Sequence, residues 1–193
     1  GMIQDVIMVK DIDSGTGSGN PENFAVMGNT LYFQAYDATN GHELWKSDGT
    51  DAGTVMVKDI NTGGGGSLPR GFVVMGNDLY FSAADGGNER ELWKSDGTDA
   101  GTVLVKDINV GGGGSSPGGF VVMENYIYFQ ADSGTSKGIE LWKSGGAGAN
   151  TEIVMDIYSG SGDSSPTELI VMDNTLYFSA DDGNSGRELW KSD

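Results

Sequence analysis

The chain has no cysteine, one histidine and four prolines among its 193 residues. Without cysteine there is no disulfide framework, no thiol nucleophile and no thiolate zinc site. A Ser-His-Asp triad would have to use the sole histidine, His42, and no Gly-x-Ser-x-Gly elbow accompanies it. Basic residues are also few, 11 Lys+Arg against 28 Asp+Glu, for a net charge of −17. Phosphate backbones and anionic membrane surfaces need a basic patch, so nucleic acid is not an expected partner. No apolar run approaches the roughly 18–20 residues that cross a bilayer, so membrane insertion is not expected either. No segment carries a sustained 3.6-residue apolar period between helix caps.

What the chain has in quantity is glycine, 33 residues, and repetition. Glu-Leu-Trp-Lys-Ser begins at Glu43, Glu91, Glu140 and Glu188, at spacings of 48, 49 and 48. A Tyr-Phe pair recurs at Tyr32, Tyr80, Tyr128 and Tyr177, and an Asp-Ile pair at Asp11, Asp59, Asp107 and Asp156. The four Trp and the four Pro all sit at repeat positions. Each copy reads as four short strands rich in β-branched and aromatic residues, broken by Gly, Asn and Asp. In the second copy these are Phe72–Met75, Asp78–Ala83, Glu91–Ser95 and Thr102–Ile108.

Both strand faces carry apolar groups: Leu79, Phe81 and Ala83 point one way and Tyr80 the other. Sheets packed between neighbouring sheets need that pattern, whereas a half-solvated sheet alternates apolar with polar. A period of 40–50 residues with four strands is the sequence mark of a β-propeller. The long link at residues 61–71 returns the chain from an outermost strand to the next innermost one. The expectation is an all-β single domain, residues 1–193, of four blades at 24–60, 72–108, 120–157, and 169–191 plus 6–12. In that scheme the N-terminal strand Val6–Ile12 completes the last blade and closes the ring. The alternatives are half of a larger ring completed by a second chain, or a piece of a longer array.

The stretches Glu43-Leu-Trp-Lys-Ser-Asp-Gly-Thr50 and Glu91-Leu-Trp-Lys-Ser-Asp-Gly-Thr98 resemble the bacterial ELWxxDGT repeat, also described as hyalin-like. The resemblance spans essentially the whole chain. It implies propeller-type blades and a secreted or cell-surface setting, and it brings no catalytic residues with it. The third copy departs from the pattern, with Gly145-Gly146-Ala147 in place of Asp-Gly-Thr.

Trp45, Trp93, Trp142 and Trp190 read as fillers of the space between blades, as do Tyr32, Tyr80, Tyr128 and Tyr177. Exposed aromatics are expected among residues that break the repeat: Tyr36, Tyr126 and Tyr158. Asp11, Asp59, Asp107 and Asp156 read as acceptors for the long loop or as partners for a nearby Lys. Asp37, Asp85, Asp132, Asp181 and Asp182 lie in hairpin loops with Gly and Asn. They fit turn acceptors, and calcium is the cation such loops would take. The Gly63–Gly66 run lacks the Lys-Ser/Thr and the helix of a phosphate loop. The reading is a non-catalytic extracellular binding or adhesion module for a glycan or a surface protein, as monomer or homodimer, with no required cofactor. A purely structural or self-assembling repeat is the alternative, and a glycoside hydrolase the least favoured.

Overall fold

The computed structural model describes residues 6–87, 89–111, 113–134 and 137–193. Among the described residues fifteen strands form four antiparallel meanders in chain order. The first sheet holds β1 (Glu22–Met27), β2 (Thr30–Asp37), β3 (Gly41–Ser47) and β4 (Val55–Lys58). The second holds β5 (Arg70–Met75), β6 (Asp78–Ala84), β7 (Arg90–Ser95) and β8 (Val103–Lys106). The third holds β9 (Gly118–Met123), β10 (Tyr126–Asp132), β11 (Ile139–Ser144) and β12 (Thr151–Met155). The fourth has three strands: β13 (Thr167–Met172), β14 (Thr175–Asp181) and β15 (Arg187–Ser192). The chain is therefore all-β, built of propeller-type blades whose innermost strands β1, β5, β9 and β13 touch in succession.

Each innermost strand carries a bulge near its start, where the register to its partner shifts. The bulged residue is left-handed in every copy: Asn23, Gly71, Gly119 and Glu168, with φ of 57°, 71°, 69° and 56°.

The core lies between sheets. Leu79, Phe81, Ala83 and Trp93 of the second sheet pack on Tyr32, Leu44, Val57 and Ile60 of the first. The same set recurs at the next two interfaces, where Trp142 faces Tyr80 and Leu92, and Phe178 faces Tyr128 and Leu141. A Tyr from one sheet meets a Phe and a Trp from the next at each gap, as equivalent interfaces in a repeat require. Tyr177 and Trp190 differ from their counterparts in being only half-buried.

The structure does not show ring closure by the N-terminal segment. Among the described residues Val6–Ile12 forms no strand, no strand pairs with the outer edge of β15, and no comparable contact joins β13 back to β1. The segment lies instead against the first sheet. Ile12 packs on Phe33, Ala35 and Trp45; the Lys10 ammonium donates to the Asp51 carbonyl at 3.1 Å; the Tyr36 N–H donates to the Gly19 carbonyl at 2.7 Å. These contacts hold the segment on the first blade.

Candidate functional site

The side chains common to all copies are occupied in holding the blades. Glu43, Glu91 and Glu140 are fully buried on the third strand of their sheets. Glu43 accepts the N–H groups of Ile60 (3.0 Å), Asn61 (3.2 Å) and Ser67 (2.8 Å) and the Ser67 hydroxyl (2.6 Å). One carboxylate thus clamps both ends of the long loop that leads to the next blade. Glu91 does the same for Ile108 and Ser115, and Glu140 for Ile157, Tyr158 and Ser164. Burial pushes the Glu43 and Glu91 carboxyls up, and the hydrogen bonds from the loop offset part of that rise.

This clamp takes most of the work expected of the Asp-Ile aspartates. Asp11 does accept a loop N–H, from Gly15 at 3.3 Å, and Asp156 pairs with Lys137 at 3.1 Å. Asp59 leaves Oδ1 buried without a partner, and Asp107 acts on Glu91 through its charge, helping to push that carboxyl up. The glutamates were missed because a charged residue between strand neighbours reads as solvent-facing. The available signal was the pairing of each Glu with a Ser 24 residues on, at Ser67, Ser115 and Ser164.

The Ser-Asp-Gly-Thr turn is a second scaffold device. Asp48 Oδ1 accepts from the Thr50 N–H and hydroxyl at 2.9 and 2.7 Å, and the Thr50 hydroxyl accepts the Gly53 N–H at 2.9 Å. Those bonds hold the exposed Asp48 carboxyl below its ordinary range. In the third copy, Asn150 Oδ1 accepts the Ala147 N–H at 2.8 Å and takes over the missing aspartate's role. Lysines then tie each blade to the next turn: Lys58 reaches the Asp99 carbonyl at 3.1 Å and Lys106 the Thr151 carbonyl at 2.7 Å.

The calcium candidates serve their own loops. Asp37 accepts the N–H groups of Thr39 and Asn40 at 2.8 and 2.9 Å. Asp85, Asp132 and Asp181 accept from Gly87, Gly134 and Gly183 at 2.9, 2.7 and 2.7 Å. Asp182 accepts from Asn184 and Ser185 at 2.9 and 2.7 Å. Burial alone would raise the Asp37 carboxyl, but its bonds to Asn40 and Thr39 together hold it low. Among the described residues no cluster of three or more His, Asp or Glu could hold a metal ion. The Gly63–Gly66 run packs over the first hairpin loop, and a Cβ on Gly66 would lie 2.7 Å from the His42 nitrogen.

Residues that differ between copies gather elsewhere, at the end of each sheet where the innermost strand begins. In the first blade Gln34 donates to Glu22 at 2.6 Å and contacts His42 Nδ1 at 3.4 Å, while Tyr36 lies 5.1 Å from the His42 ring. The second blade places Arg70, Ser82 and Arg90 at the equivalent positions. Arg90 donates to the carbonyls of Leu68 (2.9 Å) and Ser82 (3.0 Å). Burial, with help from the neighbouring Arg70 charge, lowers its guanidinium to about 10. The third blade has Gln130 and Ile139 there, and the fourth has Thr167, Ser179 and Arg187. A row of unlike polar groups on an otherwise repeated frame can take hydrogen bonds from a polar ligand. Of the repeat-breaking tyrosines, Tyr36 belongs to this row; Tyr126 lies under the Lys143 ammonium and Tyr158 against Gly162 and Gly183.

No protein-family model matches the chain, and no curated protein does. Among solved structures it is similar to the computationally designed Ika8 protein, at 19% identity and a TM-score of 0.49 over 94% of this chain. The chain spans about half of that protein's length, 48%. It is also similar to an α-L-arabinofuranosidase of Clostridium thermocellum, at 19% identity and a TM-score of 0.39, covering 90% of this chain and 68% of that one. A family 117 glycoside hydrolase of the marine bacterium Zobellia galactanivorans matches at 14% identity and a TM-score of 0.44, with 96% and 71% covered. Among the described residues no helix is long and apolar enough to cross a membrane.

Proposed function

We propose that the chain is a non-catalytic binding module that holds a glycan on the end of the sheets where β1, β5, β9 and β13 begin. The carrying observation is the division of labour between residue classes. Side chains shared by the copies satisfy loops, turns and inter-sheet gaps, whereas the more variable polar ones sit at the same end of their sheets: Glu22, Gln34, Tyr36 and His42 in the first, Arg70 and Arg90 in the second. Carbohydrate fits that chemistry. Carboxylate, amide and guanidinium groups suit hydroxyls, and the half-buried Tyr36 ring offers an apolar plane. An extracellular setting rests on the likeness to the ELWxxDGT repeat. The non-catalytic reading rests on the employment of the buried carboxylates as loop clamps.

A glycan array tests this, run with calcium and again with EDTA so that metal-bridged recognition separates from direct recognition. The expected result is binding to a defined sugar that Tyr36→Ala and Arg70→Glu each weaken at least tenfold, with Glu152→Gln unaffected. A blank array from protein shown to be folded overturns the reading. The second reading, a structural unit that assembles with others, is favoured by the unpaired edge of β15.

A further inference from the structure

The two ends of this four-blade array are complementary halves of one more inter-blade interface. On the fourth blade, Leu189 is 77% exposed although its counterparts Leu44 and Leu92 are completely buried. Glu188 is exposed as well, whereas Glu43, Glu91 and Glu140 each clamp a following loop. The first blade shows the opposite half. Its Leu31, Phe33, Ala35 and Trp45 face is the one that, in later blades, receives a preceding Tyr and Leu. Here it opens into a cavity of 280 Å³ lined by Met8, Val9, Ile12, Phe24, Leu31 and Phe33.

Residues 6–21 already occupy the place of a preceding blade's outer strand and loop. Lys10 reaches the Asp51 carbonyl as Lys58 reaches that of Asp99, both at 3.1 Å. The Gly19 carbonyl accepts from Tyr36 at 2.7 Å as the Ser67 carbonyl accepts from Ala84 at 3.0 Å. Asn20 adopts φ 41°, matching Leu68 at 50° and Ser116 at 46°. Among the described residues no strand pairs with them, and Met8 is left 76% exposed.

One further position shows the same vacancy. A Cβ on Gly97 would lie 2.2 Å from the Tyr32 hydroxyl of the preceding blade, and one on Gly146 would lie 2.3 Å from that of Tyr80. The equivalent Gly49 has nothing within 4 Å. The space beside Gly49 has room for a tyrosine hydroxyl, and Tyr177, like Tyr128, meets no such glycine among the described residues.

We propose that a second copy of this chain supplies the missing partner at each end. Residues 6–12 of one copy add as the fourth strand of the other's last blade, outside β15. The register of β3 with β4 then carries over: Lys58 sits opposite Leu44 and Met56 opposite Trp45, so Lys10 comes opposite Leu189 and Met8 covers Trp190. The Ile12 N–H donates to Glu188, as that of Ile60 donates to Glu43. Tyr177 and Leu189 enter the cavity on the partner's first blade. The exchange is heterologous, so it closes only if the rotation returns to its start. Propellers have about 4–8 blades, and two copies of this chain, four blades each, fall within that range.

Light scattering after size exclusion tests the assembly on the chain as it stands. The expected mass is twice the 20.2 kDa of one chain and independent of concentration. Leu189→Asp, a change at a position exposed in the single chain, is expected to halve that mass while retaining the β-sheet circular dichroism. With Ile7→Cys and Lys191→Cys introduced together, oxidation is expected to link two chains on a denaturing gel. A folded protein of one-chain mass overturns the proposal. So does a mass that grows with concentration, or a cysteine pair that closes only within one chain.

Discussion

The buried glutamate clamp makes a quantitative prediction for Glu91→Gln. In the native chain Oε1 accepts the Ser115 N–H at 2.8 Å, and Oε2 accepts the Ile108 N–H at 3.0 Å together with the Ser115 hydroxyl. A glutamine can keep its carbonyl where Oε2 was, which sets an NH2 group against the Ser115 N–H. One buried donor then loses its acceptor, a loss of about 1–3 kcal/mol, and the remaining bonds change from charge-assisted to neutral. Relief from burying a charge offsets part of this, since burial is what pushes the Glu91 carboxyl up. The net expectation is about 2 kcal/mol. At about 2–4 °C per kcal/mol for a chain of this size, the melting temperature should fall by roughly 4–8 °C. Thermal melts at neutral pH, followed by far-UV circular dichroism, read this directly. The control is Glu152→Gln, at a mostly exposed carboxylate 3.4 Å from Lys143, where little change is expected. If Glu91→Gln melts with the wild type and the control, the carboxylate is not the clamp described above.

Two further outcomes follow from the turns. Hydrogen bonds hold the Asp37 carboxyl below its ordinary range, so its contribution is full above the unfolded value near 3.8 and is lost as pH falls through the folded one. Asp37→Asn should therefore narrow its stability gap to wild type on acidification from pH 5 to pH 2, as melts across that range would show; a constant gap refutes the assignment. Gly97→Ala meets both a left-handed φ of 88° and the Tyr32 hydroxyl, and should lose roughly 2–4 kcal/mol. Adding Tyr32→Phe should return part of that loss in a denaturant titration, because it removes the atom in the way.

The strands and their order inside a blade were legible because β-branched and aromatic runs, broken by Gly-Asn and Asp-Gly, leave few other options. The inter-sheet placement of Trp93 and Trp142 was legible for a related reason: equivalent packed interfaces repeat a large aromatic at fixed spacing. Glu43 was not, since its role depends on a loop that folds back over it from 17 to 24 residues away. Closure was not legible either. It depends on the rotation from one blade to the next, which the repeat length does not encode. The row of Glu22, Gln34, Tyr36 and His42 was visible only as scattered departures from the repeat. Strand register brings Glu22 opposite Gln34 and Tyr36 opposite His42.

The third copy's turn bears on how such chains are recognised. Its spelling has lost the aspartate, yet Asn150 delivers an oxygen to the Ala147 amide from the far side of the same bend. Within this chain the turn keeps its shape with a different residue, because an acceptor still reaches the same amide. A search that scores residue letters would miss this copy, whereas one that scores the amide's partner would include it.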